Sequence, residues 1–317
     1  MSLGGAKMPT IYFGKINLTS EHIYSVYNDK ALLRKILSDI LVCVKDGVSY
    51  TEEYSFFDEE GKQFTNEIEY SIYIREKTDT YIRGRVDKTS TLFYKDKNPI
   101  TNELESKGIP NVDANEFYFD VFSELVGYVT SNRFGHKKFL KVFENLINIS
   151  MENAEKEYRF EVDRYTNGIN IERLKQELKS VDGIQRLSIT LKPVNPDSEV
   201  LDSIFNNGKD RLEEFEEANI ATKSILLTST SRRGLNIESK LVKASLDEVD
   251  SLQRDVSSKL ATKNGYAKVD VTGRDGITRS TQDASPVRKS IRNMEEFIMA
   301  CQEVIIRSKR VHIDDGE

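Results

Sequence analysis

The 317-residue chain has no tryptophan, only two cysteines and three histidines, and six prolines. Cys43 and Cys301 sit among apolar residues at helical spacing, in Leu41-Val-Cys-Val44 and Ile298-Met-Ala-Cys301. That placement predicts buried, reduced thiols and excludes a disulfide framework. His22, His136 and His312 lie far apart, and none has a cysteine or carboxylate at ligand spacing. A zinc-type centre is therefore not predicted, and a Cys–His nucleophile would need the fold to unite two buried thiols with distant imidazoles. There is no Gly-x-x-x-x-Gly-Lys-Ser/Thr and no Gly-x-Gly-x-x-Gly after a strand, which excludes the two common nucleotide-binding loops. The opening Met1-Ser-Leu-Gly-Gly-Ala-Lys7 lacks a signal-peptide core. No apolar run approaches the roughly 20 residues of a membrane helix, so a cytoplasmic protein without a membrane span is predicted. No catalytic residue, cofactor or metal site is predicted.

What is present is an ordinary folded composition, with 38% hydrophobic and 31% charged residues and a net charge of -6. Two lobes suit this length, and the expected division is 1–155 and 156–317. In the first lobe Thr10–Asn17 reads as a strand. Leu32, Leu33, Ile36, Leu37, Ile40, Leu41 and Val44 recur at three and four, marking one face of a helix that stops near Asp46-Gly47. Tyrosine-rich alternating segments near 49–57, 67–76 and 80–94, separated by Glu59-Glu-Gly61 and Lys77-Thr-Asp79, predict a meander of hairpins. Lys95 to Asn115, with Pro99, Gly108 and Pro110, reads as a loop. Glu116 to Thr130 is strand-like, and Gly135 opens a helix bearing Phe139, Leu140, Phe143, Leu146 and Ile147.

The second lobe shows two consecutive strand–helix–strand units. The first joins Tyr158–Asp163 to Arg186–Lys192, and the second joins Lys223–Thr228 to Tyr266–Val271. Together they predict a ferredoxin-like four-stranded sheet, with a helical insertion carrying Val200, Leu201, Ile204 and Phe205. A hairpin around Arg274-Asp-Gly276 and a closing helix with Met294, Phe297, Ile298, Cys301 and Ile305 follow. The fold class is α+β: a mainly antiparallel sheet with helices, then the ferredoxin-like unit.

Basic residues interleaved with aromatics carry the functional signal. Between Tyr81 and Lys97 stand Arg83, Arg85, Lys88, Lys95 and Lys97 against Asp87 and Asp96, a local balance of +3. On a strand, Tyr81, Arg83 and Arg85 share a face. A second cluster, Asn132-Arg-Phe-Gly-His-Lys-Lys138, places Arg133, Lys137 and Lys138 at a helix start, where backbone N–H groups favour anions. The third is the turn Ser229–Gly234 with Arg232 and Arg233. All three suit phosphates, and none supplies a code for base edges. The competing reading of each is a solvated charged surface. A different chemistry is suggested by Glu238-Ser-Lys240, whose Glu-x-Lys spacing occurs in Mg²⁺-dependent nucleases, with Asp197 after Pro196 as the upstream acid. Those residues also fit a helix start, where a glutamate interacts with the dipole. A third option is an interaction or scaffold protein without nucleic-acid contact.

The run Gln185-Arg-Leu-Ser-Ile-Thr-Leu-Lys-Pro193, the insertion and Lys223–Thr228 stand in a distinctive order. Upstream of them are Phe117-Tyr-Phe119, Gly127-Tyr-Val-Thr130 and the helix after Gly135, and the closing helix begins at Met294. In that element order the last two-thirds of the chain resembles the RexA-type phage-exclusion family of lambda-type prophages, and proteins of phage-resistance loci. The resemblance implies a non-enzymatic protein, a homodimer or one that acts with a protein partner. It would bind double-stranded DNA with little sequence preference and serve in anti-phage defence.

Overall fold

The computed structural model describes residues 8–57, 61, 63–97, 99–100, 102, 104–195, 209–256 and 259–314. It is an α+β protein built on two antiparallel sheets. The larger sheet begins with β1 (Thr10–Leu18) and continues through β2 (Ser49–Phe57), β3 (Gln63–Lys77), β4 (Tyr81–Lys97), β5 (Leu104–Asp120) and β6 (Leu125–Val129), with two later strands added beside β1. Its order along one path is β6-β5-β4-β3-β2, with β1 beside β6. The alternation of Ile68, Tyr70 and Ile72, all buried, against exposed Glu67, Glu69 and Tyr73 is the period-two pattern that makes β3 a half-buried strand.

Three helices accompany this sheet: α1 (His22–Asn28), α2 (Lys30–Cys43) and α3 (His136–Asn153). Asp29 caps α2 by accepting from Ala31 N, whereas α3 starts at Gly135 without a side-chain cap. Leu33, Ile36, Leu37 and Ile40 of α2 and Phe139, Phe143, Leu146 and Ile147 of α3 enter the main core with Phe117, Phe119 and Tyr128.

Lys95–Asn115 is not a loop. β4 and β5 are two 17-residue strands paired from Tyr81↔Asp120 to Lys97↔Leu104, so Gly108 and Pro110 lie within β5. Proline is tolerated there because β6 pairs only with Phe117–Asp120, leaving the other edge of β5 open at Pro110. Gly84 is required where β4 meets the bulge between Ile74 and Glu76 of β3. A Cβ there would lie 2.0 Å from the Tyr73 carbonyl oxygen.

The remaining elements are β7 (Phe160–Arg164), α4 (Ile171–Lys179), β8 (Arg186–Leu191), α5 (Lys209–Glu217) and β9 (Lys223–Thr228). They are followed by α6 (Lys240–Val256), α7 (Leu260–Lys263), β10 (Ala267–Thr272), β11 (Thr278–Ser280), β12 (Arg288–Ser290) and, after a 3₁₀ turn, α8 (Phe297–Asp314). The smaller sheet has the order β11-β10-β8-β9. This corrects the ferredoxin-like pairing: β7 leaves its own unit and pairs antiparallel with β1 of the larger sheet, from Gly14↔Arg164 to Leu18↔Phe160. β11 closes the four-stranded sheet in its stead.

β12 also joins β1, so two strands beyond residue 155 belong to the larger sheet, and one apolar core runs from Ile16 and Phe143 to Leu187 and Val249. The helical insertion between β8 and β9 is represented by α5. Val200, Leu201, Ile204 and Phe205 lie outside the described residues. On the other face of the larger sheet α8 packs Phe297, Cys301 and Ile305 against Ile11, Phe13 and Leu125.

Candidate nucleic-acid interface

Strand alternation sorts the basic residues of β4 onto opposite faces. Arg83 and Arg85 point away from α2 and α3, and both meet acids from neighbouring positions. Arg83 Nη1 lies 3.3 Å from Glu76 Oε2, and Arg85 Nε lies 2.8 Å from Asp87 Oδ1 with its guanidinium 4.7 Å from the Tyr73 ring centre. Arg75 and Glu116 pair beside them at 2.7 Å. Three arginines thus face three carboxylates, so these six side chains carry no net charge. Burial raises the Glu116 carboxyl above its ordinary range against the pull of those arginines.

Lys88 belongs to the opposite face, the one that carries the helices. Its ammonium donates to the Arg133 carbonyl at 3.1 Å. Arg133 stands in the turn Ser131–Phe134, which buried Asn115 fixes from both sides: its Nδ2 donates to Phe134 O at 2.7 Å, and its Oδ1 accepts from Ser131 N at 2.9 Å. The turn leads directly into α3, where Lys138 pairs with Glu52 of β2 and lies 4.8 Å over the Tyr70 ring. Lys88, bound to the Arg133 backbone, and Lys138 therefore both lie near the uncapped N-terminus of an 18-residue helix.

Beyond this point the helices no longer cover the sheet. Exposure on the same face rises from 0% at Tyr70 to 48% at Tyr54 and 44% at Tyr94. Asn66 Nδ2 donates to Tyr54 Oη at 3.1 Å and holds that ring at the edge of the face. Tyr50 stands opposite Tyr70 in the cluster's own row, its hydroxyl pushed up to about 12 chiefly by burial. A basic cluster next to exposed aromatic rings can contact phosphates and stack on bases.

The other predicted residues go elsewhere. Lys137 turns to the far side of α3 and pairs with Asp283 at 3.1 Å. Arg232 and Arg233 are exposed in the turn after β9, which Ser231 shapes by accepting Arg233 N at 3.2 Å; this turn belongs to the smaller sheet. Glu238 and Lys240 fall at the start of α6. Glu238 is bound by Lys179 at 3.0 Å and Lys243 at 2.8 Å, and these lysines draw its carboxyl down to about 2. That positive surround suits a capped helix start and opposes a divalent cation. Asp197 lies outside the described residues. Among the described residues no group of three His, Cys, Asp or Glu side chains could hold a metal ion.

Sequence reasoning placed Tyr94 among the basic residues of 81–97 but did not single out Tyr54 or Asn115. Tyr54 and Tyr94 stand in alternating tyrosine-rich strands, where exposure is not written in the pattern. The link between Asn115 and the 131–134 turn is purely tertiary.

The fold and this surface define an α+β protein with a polar and aromatic face left open at one end of its larger sheet. A family model described as "Domain of unknown function (DUF4747)" matches residues 68–307, about three quarters of the chain, and the chain belongs to that family. The match runs from Ile68 of β3 to Arg307 of α8 and so spans both sheets. No curated protein matches the chain. Among the described residues no helix is long and apolar enough to cross a membrane.

Proposed function

We propose that this protein binds nucleic acid through the phosphate backbone, with little sequence preference, and that it does so without catalysis in a cytoplasmic, exclusion-type defence against phage. The observation that carries the binding is that Lys88, held by the Arg133 carbonyl, and Lys138 lie at the N-terminus of α3 on the sheet face that further along exposes Tyr54 and Tyr94. The pairing of Lys138 with Glu52 does not oppose it. Half-exposed ion pairs contribute about 0–1 kcal/mol, and a phosphate can replace the carboxylate at small cost. The helix dipole adds attraction for an anion at the same place. With a net charge of -6 the attraction is local, which confines contact to this end of the molecule. The defence role is supported by the resemblance in element order alone.

The partner this reading calls for is double-stranded DNA, with a second copy of the chain completing the assembly. Binding of duplex and single-stranded oligonucleotides, followed by anisotropy between about 50 and 200 mM salt, tests it. Affinity is expected to fall linearly on a log–log plot. Replacing Lys88, Arg133 and Lys138 together by alanine should lower the slope by about 2 to 3, near 0.9 per lost phosphate contact. Absence of binding at low salt, or a slope untouched by the triple substitution, would remove this surface from consideration.

A further inference from the structure

On the other side of α3 lies a second polar site. A cleft of about 290 Å³ separates α3 from β7 and the β10–β11 edge; Lys137, Arg164 and Gln282 are among its lining residues. Arg164, whose side chain is 12% exposed, sets Nη1 2.8 Å from Asp283 Oδ1, and Lys137 approaches Asp283 Oδ2 at 3.1 Å. One carboxylate thus serves two cations at this end, within a cleft whose lining as a whole sets four cationic side chains against four carboxylates. The cleft's other carboxylates are engaged: Glu144 by Lys141 and the Val162 N–H, Asp270 by Lys268, and Asp163 by Lys192.

Several polar groups around Arg164 have nothing to bond. Gln282 is 8% exposed, and neither its amide oxygen nor its amide nitrogen has a partner. His136, the first residue of α3, keeps a buried Nδ1 without a partner. Fully buried Tyr128 faces the Arg164 guanidinium without a well-formed hydrogen bond. Buried polar groups are nearly always satisfied, and of these three Gln282 lines the cleft, where a ligand can supply its missing bonds. At the Asp283 end two cations share one carboxylate, the adjoining helix end has no side-chain cap, and the Gln282 amide offers an unpaired donor. A compact oxyanion meets all three conditions.

We propose that this cleft binds a phosphate group, through Lys137, Arg164, Gln282 and the first turn of α3. The site lies on the opposite side of α3 from the open face with Lys88 and Lys138 and shares only the helix N-terminus with it, and it stands whether or not that face binds nucleic acid.

Thermal denaturation and titration calorimetry of the full chain with inorganic phosphate, at constant ionic strength set by chloride, test the proposal. Phosphate, and not chloride, is expected to raise Tm in proportion to ln(1 + [L]/Kd). Lys137→Ala, at a side chain 80% exposed, should leave Tm without phosphate unchanged and weaken phosphate about tenfold. Gln282→Leu keeps the bulk, removes the unpaired amide, and should weaken phosphate likewise. Oligonucleotides with a 5′-phosphate or a 5′-hydroxyl identify the source. Displacement of the first alone by inorganic phosphate assigns the group to a strand end, and indifference to the 5′ group assigns it to a small phosphorylated compound. A Tm unmoved by phosphate, or an equal response in wild type and both variants, overturns the proposal while leaving the salt-dependence test of the other face intact.

Discussion

Gly127 of β6 and Cys301 of α8 are in direct contact: a Cβ added to Gly127 would lie 2.6 Å from Cys301 Sγ. The closing helix reaches the sheet only because this strand position has no side chain. Gly127→Ala is therefore expected to destabilise the fold by about 1–3 kcal/mol, the usual cost of overpacking a filled core. Adding Cys301→Ala should recover part of that loss. Denaturant unfolding of the single and double variants measures the coupling, and strictly additive effects would contradict the contact.

Cys301 is 0% exposed, and burial raises its thiol well above the ordinary range. A buried, protonated thiol is unreactive, so Cys301 is expected to resist thiol reagents in the native protein and to react at once in denaturant. Timed alkylation with mass spectrometry reads this directly.

Lys15 and Glu124 form a buried ion pair at 2.8 Å, with side chains 5% and 2% exposed, and Asn195 Nδ2 donates to the second carboxylate oxygen at 3.0 Å. Glu124→Gln removes the charge opposite a buried ammonium and is expected to cost about 3–5 kcal/mol. Lys137→Ala breaks an exposed pair and should stay within about 0.5 kcal/mol of wild type. Similar losses from the two substitutions would show that the Lys15–Glu124 pair is not dry.

His136 gives a pH dependence of defined sign. Burial, then the Arg164 charge, lower its pKa below the ordinary 6.5, and Asp283 only partly opposes them. The unfolded chain then takes up the proton first. The contribution of neutral His136 is complete above pH 6.5 and is lost as the pH falls below it. His136→Gln should flatten this part of the stability profile, as measured by urea unfolding between about pH 7 and pH 5; an unchanged profile would place the acid sensitivity elsewhere.

If the open face of the larger sheet is the nucleic-acid surface, tyrosines and lysines there have separable roles. Tyr54→Ala with Tyr94→Ala should weaken single-strand binding by about 1–3 kcal/mol per stacked base while leaving the salt slope unchanged. Arg232→Ala with Arg233→Ala, on the smaller sheet, should change neither. A lost slope in the Arg232/Arg233 variant would move the interface to that turn.

Much of the architecture is legible because periodicity is local. Ile68, Tyr70 and Ile72 announce a strand, and Phe139, Phe143, Leu146 and Ile147 a helix, through spacing alone. Lys95–Asn115 was misread because Gly108 and Pro110 are turn residues by habit, whereas an open strand edge tolerates both. The pairing of β7 with β1 joins residues about 150 positions apart, and no pattern in either segment distinguishes that partner from β8. The candidate sites divide in the same way. The cluster around Arg133 and Lys138 is contiguous and visible in the chain, but the cancellation of Arg83 and Arg85 by Glu76, Asp87 and Glu116 depends on sheet register.

Composition and short-range spacing suffice for the α+β class, most of the elements and the buried state of both thiols. Which basic residues share a face, and that Lys137, Arg164 and Gln282 line one cleft, came from the tertiary fold. Strand pairing and helix docking set those positions, and hydrogen bonds between residues 119 apart, such as Arg164 to Asp283, leave no trace in local sequence.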